Sequence, residues 1–143
     1  MRKTIGVVIG ASSLAWAMCA GAQNQPKTEP QYVQVLQETA FRCKFGQGLA
    51  TSAMKLDISS DFSRQQRDKA ETTCTDALAR GESAFKSEIA KPNRPPVREG
   101  IKRAYSRWRT FVEGLEPGVP VDAGAERAFN DAVNDLKLEI ENP

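Results

Sequence analysis

Cysteine is the residue type with the most specific chemistry here. The 143-residue chain holds three, Cys19, Cys43 and Cys74, and no histidine. Cys43 and Cys74 each sit on an apolar stripe with helical spacing. The stretch from Lys55 to Ser63 between them carries three serines and two aspartates on no helical period, so it reads as a turn. The two cysteines lie about equally far from that turn. In an antiparallel helical hairpin such residues face each other, because both helices rise about 1.5 Å per residue. A disulfide is therefore expected between Cys43 and Cys74. Its Cα atoms must approach to roughly 4.4–6.8 Å, closer than the usual interhelical distance of about 8–10 Å. Small residues should flank the bridge, and the same mirror rule supplies them by pairing Ala40 with Ala77, Leu36 with Gly81, and Gly46 or Gln47 with Ala70 or Glu71.

The missing histidine removes the usual neutral-pH general base, the Ser-His and Cys-His nucleophile pairs and the common zinc site. No CxxC, Gly-rich phosphate loop or calcium loop is present. No catalytic residue, metal site or cofactor is expected, and the chain is read as a non-enzyme.

The most polarised stretch is basic. Arg94, Arg98, Lys102, Arg103, Arg107 and Arg109 stand against a single acid, Glu99, with Tyr105 and Trp108 interleaved. Arg98, Lys102, Arg103, Arg107 and Arg109 are the candidate partner-binding residues, of a kind that suits nucleic acid, anionic lipid or an acidic protein. The competing reading is a solvated face, or one paired with the acids that follow from Asp122 to Glu141.

The N-terminus fixes the compartment expected for this chemistry. Met1-Arg2-Lys3 is a basic start, Ile5 to Met18 is an apolar run, and Ala20-Gly21-Ala22 is a small-x-small cleavage pattern. Residues 1–22 read as a secretory signal peptide cut after Ala22. Lipidation at Cys19 is the alternative, disfavoured by the preceding Trp16-Ala17-Met18. The protein is expected in the periplasm or secreted. The 20 Lys+Arg and 18 Asp+Glu give a net charge of +2, but removal of Arg2 and Lys3 leaves the mature chain neutral. That argues against nucleic acid as a partner. No later stretch is apolar enough to span a membrane.

The elements that must position these residues follow from periodicity. Residues 23–30 are a polar leader with two prolines, and 31–143 should form one helical domain. A first helix is predicted over 31–56 with Val33, Leu36, Ala40, Cys43, Ala50, Ala53 and Leu56 on its buried face. Gly46 and Gly48 within it signal a kink, a break or close packing. A second is predicted over 64–90, capped by Ser63 with Gln66. A third should start near Pro95, where proline is tolerated, and run to Leu115. A fourth should follow the N-cap Asp122 to Glu141, burying Ala125, Phe129, Ala132, Val133, Leu136 and Ile140. The expected fold is all-α: an antiparallel four-helix bundle or close variant, with one disulfide linking helices 1 and 2.

These features point to a small exported protein that binds another protein, as an inhibitor, immunity-type protein or adaptor. A stress chaperone and a carrier of an apolar ligand are the alternatives. The chaperone would need an exposed apolar groove, and the sequence places nearly every large apolar residue on a core stripe.

Overall fold

The computed structural model describes residues 29–57 and 61–142. The expected signal peptide, its cleavage after Ala22, the Cys19 alternative and most of the leader fall outside the described residues. So do Ile58, Ser59 and Ser60 of the expected turn.

The described residues are all-helical: α1 (Gln31–Asp57), α2 (Asp61–Ile89), α3 (Pro95–Glu113) and α4 (Ala123–Glu141). α1 packs chiefly on α2, and α3 chiefly on α4. α1 and α2 run antiparallel in the predicted register. Cys43 and Cys74 form a disulfide, with Cα atoms 4.6 Å apart. Gly46 lies against Ala70. Nearer the turn, Ser63 Oγ donates to the Ala53 carbonyl at 2.8 Å.

That last bond corrects the predicted capping box. α2 starts at Asp61, three residues earlier than predicted, and Ser63 lies inside it, fully buried. A serine facing a neighbouring helix carbonyl satisfies its hydroxyl there. Tertiary contact overrides the local capping pattern.

α3 begins at Pro95 as predicted, its ring occupying the first turn where no backbone donor is needed. It stops at Glu113, two residues short of expectation. Gly114 closes it with its N–H on the Thr110 carbonyl, and Leu115 stays buried beyond the helix end. Asp122 caps α4: its Oδ1 accepts from the N–H groups of Gly124 and Ala125 at 2.8 and 3.1 Å. Arg94 ties the start of α3 to the end of α4 by donating to the carbonyls of Glu139 and Asn142.

The two hairpins meet around Trp108. Its side chain is fully buried, its Nε1 donates to Thr39 Oγ1 of α1 at 3.2 Å, and its ring lies against Gly81 of α2. Thr39 in turn donates to the carbonyls of Val35 and Leu36 within its own helix. Leu36, Ile101, Val112, Val133 and Leu136 complete the centre of the core. Tyr32 joins α1 to α3 by donating to the Ile101 carbonyl, and burial pushes its phenol well above the ordinary range.

Two stripe positions are corrected. Leu56, assigned to the core of α1, is 85% exposed, and Ile140 of α4 is exposed as well. α1 and α2 have 27 and 29 residues against 19 each for α3 and α4. At about 1.5 Å per residue the long hairpin overhangs the short one. The α3–α4 loop reaches α1 at Thr51, whose Oγ1 accepts from the Gly118 N–H, and covers Met54. Leu56 lies past that contact. Ile140 sits in the last turn of α4.

α1 runs unbroken through both glycines. A methyl on Gly46 would make ordinary contact with Ala70 and Thr73, and one on Gly48 would meet open space. Gly48→Ala should therefore stabilise the protein by about 0.5–1 kcal/mol, through helix propensity alone. A urea titration reads this as a higher midpoint. A lower midpoint would mean that bare backbone at Gly48 has a packing role.

Candidate interaction surface

α1 carries two apolar stripes. One faces the core through Val33, Leu36, Ala40, Cys43, Ala50 and Ala53. The other lies on the opposite side and is unpartnered. Phe41, Phe45 and Leu49 follow at four-residue spacing, 66%, 58% and 46% exposed, and Leu56 continues the line. Residues four apart share a helix face, so these side chains form one ridge. Phe41 and Phe45 stack with ring centroids 6.0 Å apart. From Phe41 to Leu56 the ridge runs about 22 Å along the helix.

The ridge has a hollow on each side. Between it and α2 lies a groove of about 270 Å3, walled by Phe45, Gly46 and Leu49 on one side and by Ala70 and Thr73 on the other. Arg42 and Lys69 line it, with no acidic residue among its walls. Arg42 is paired with Glu38 at 2.6 Å. On the other side Phe41 overlooks a hollow of about 220 Å3 against Phe111 and Phe129. Lys44 and Glu126 close it with an ion pair at 2.6 Å that links α1 to α4. Half-exposed phenylalanine and leucine side chains of this number present on the order of 300–500 Å² of apolar surface. The largest patch on an ordinary monomer is about that size, and such patches often mark a contact site.

The five α3 bases are all exposed but do not form one cluster. Tyr105 stacks on Phe85 of α2, and Gly100 faces Leu136 of α4, which fixes the orientation of α3. At roughly 100° per residue, Arg98, Lys102 and Arg109 lie on the α2 flank. Arg107 lies on the α4 flank, with Arg103 between them on the outer face. Lys102 pairs with Glu99 at 2.8 Å and Arg109 with Glu113 at 2.6 Å, along the same helix. The hydrogen bond from Lys102 holds the Glu99 carboxyl below the usual carboxylate range. Lys86 does the same to Glu82 on α2, where Arg109 adds a smaller pull.

The expected charge pairing of α3 with α4 is not found. Among the described residues no ion pair joins a base of α3 to an acid of α4. The two helices meet through Gly100, Phe111, Phe129 and Leu136, and the bases stand outside that seam. The charges of α4 reach elsewhere: Glu126 to Lys44, and Lys137 to Glu29 ahead of α1.

No base of α3 lines either hollow beside the ridge. The sequence signal for the ridge was the four-residue repeat of Phe41, Phe45 and Leu49, set off from the core stripe. The exposed ridge also corrects the expectation that nearly every large apolar residue has a place in the core.

Among the described residues no group of acids and cysteines could hold a metal ion. No helix among them is long and apolar enough to cross a membrane. No family model matches the chain, and neither does any curated protein or solved structure. The surface stands on its own geometry.

Proposed function

We propose that this is a small exported, non-enzymatic protein that binds another protein through the α1 ridge. The expected antiparallel four-helix bundle is the rigid support, and an inhibitor, immunity-type or adaptor role is the activity it suits. The observation that carries the reading is the exposed line of Phe41, Phe45 and Leu49 with a hollow on either side. Buried aromatic anchors supply most of the energy of protein–protein contacts. Rim charges mainly set association rate and orientation. Arg98, Lys102, Arg103, Arg107 and Arg109 fit that second role. The disulfide suits an oxidising compartment, consistent with cleavage after Ala22 and a periplasmic or secreted product.

The test is affinity capture from envelope extract with residues 23–143, in three arms. The unaltered chain should retain one stoichiometric partner. Phe41→Ser with Phe45→Ser should weaken that binding at least tenfold, with helical circular dichroism unchanged, since neither ring is in the core. Arg103→Glu with Arg107→Glu should mainly slow association. A partner retained equally by the ridge variant removes the ridge as the binding site.

A chaperone-like role is the second reading, and the same ridge favours it. It predicts suppressed aggregation of several unrelated unfolded proteins by the unaltered chain, lost in the ridge variant.

A further inference from the structure

On another face, a cleft of about 540 Å3 opens between α2 and the α3–α4 connection. That is the size range of small-molecule sites. Its apolar walls are Leu78, Val112, Leu115 and Pro117, together with the Cys74 side of the disulfide. Gln47 lines it from α1.

Gln47 is only 7% exposed. Its Nε2 donates to Cys74 Sγ at 3.3 Å, and its Oε1 has no hydrogen-bond partner. A buried carbonyl without a donor is costly. The oxygen is closed off as it stands, and a small turn of the Gln47 side chain toward the cleft it lines would let an N–H group of a ligand there relieve it.

The rim specifies what kind of N–H group. Asp68, Glu71, Glu113 and Glu116 line the cleft with one base, Arg67. Glu113 is committed to Arg109. Asp68, Glu71 and Glu116 have no ion-pair partner among the described residues. An anion would meet net negative charge here. A bare metal ion has no converging ligand set. An ammonium carries positive charge and three donors with no acceptor, so one group answers the carboxylates and the orphaned carbonyl together. The apolar walls call for a hydrocarbon or aromatic body behind it.

We infer that this cleft binds small amphiphilic amines, each a primary ammonium on an apolar body. The site is separate from the α1 ridge and does not depend on it.

Dansylcadaverine, a primary amine on a five-carbon stem attached to a naphthalene, is a suitable probe. Its fluorescence would be titrated against the purified protein with the disulfide intact. Saturable binding of one equivalent is expected. Glu71→Gln with Glu116→Gln should weaken it at least tenfold, and so should N-acetylation of the probe. Gln47→Leu should weaken it severalfold while leaving the melting temperature unchanged or higher, since it removes an unpaired buried group. Phe41→Ser with Phe45→Ser should leave it unchanged. Non-saturating binding, equal binding of the acetylated probe, or unchanged affinity in either cleft variant overturns the assignment. So does loss of binding in the ridge variant, which would put the probe on α1. Melting curves for each variant separate lost binding from lost folding.

Discussion

Gly81→Ala is expected to destabilise the protein by about 2–3 kcal/mol, the upper part of the range for overpacking a core. A methyl at Gly81 would fall within 3.0 Å of Cη2, Cζ2 and Cζ3 of Trp108. The ring cannot easily move aside. It is fully buried, its Nε1 is held by Thr39 Oγ1, and Tyr105 stacks on it with centroids 5.6 Å apart. Alanine's better helix propensity returns only about 1 kcal/mol. The melting temperature should fall on the order of 10 °C. Gly48 is the internal control, because the identical substitution there should raise stability. Trp108→Leu in the Gly81→Ala background should cost much less than Trp108→Leu alone. A large ring lost from a filled core leaves a cavity, whereas in the double variant the new methyl takes up part of that space. Additive effects in this cycle, or the same sign at Gly81 and Gly48, would contradict the packing assigned to Trp108.

Gly81 also shows how far sequence reasoning reaches. The mirror rule placed it opposite Leu36 inside the α1–α2 hairpin. What needs the missing side chain is Trp108, 27 residues further on and in the other hairpin. Periodicity gives the faces of single helices, and two equal rises per residue give the register within a hairpin. Neither says how one hairpin sits on another. The Trp108 bond to Thr39 and the overhang that exposes Leu56 both depend on that assembly. The α3 bases follow the same logic. Their charge balance against α4 was legible, but the apolar seam leaves them on flanks and outer face, where Lys102 and Arg109 pair along their own helix.

The ridge was hidden for a different reason. Val33, Leu36, Ala40, Cys43, Ala50 and Ala53 give α1 a core face on which Phe41 and Phe45 have no place, and the glycines at 46 and 48 leave a kink, a break or close packing open for that stretch. The helix is continuous. Phe41 and Phe45 therefore stay in phase with Leu49 and Leu56, away from the core. A helix with apolar residues on opposed faces needs a second neighbour or a partner. α2 and α4 flank the ridge without covering it.

Removing the disulfide should have the largest effect of all. Cys43 and Cys74 are 31 residues apart, and cross-linking a loop of that length constrains the unfolded chain by about 3–4 kcal/mol on the entropy estimate. Such a loss is a large part of the roughly 5–15 kcal/mol that holds a small domain together. Cys43→Ser or Cys74→Ser should cost about 2–5 kcal/mol. At position 43 the new hydroxyl is fully buried, whereas at position 74 it meets the Gln47 amide that now donates to Sγ, so Cys43→Ser should be the costlier of the two. Cys43→Ala with Cys74→Ala avoids the stranded hydroxyl and isolates the cross-link. Urea unfolding of oxidised and reduced protein, with thiols counted by mass, separates two origins of the effect. If the bridge acts on the unfolded chain, reduction lowers the midpoint and steepens the transition, because the freed chain exposes more surface when it unfolds. If the bridge acts mainly through native contacts around Gln47, the midpoint falls with no change in steepness. Equal midpoints before and after reduction would mean that the helix packing of α1 on α2 holds the hairpin without the bridge.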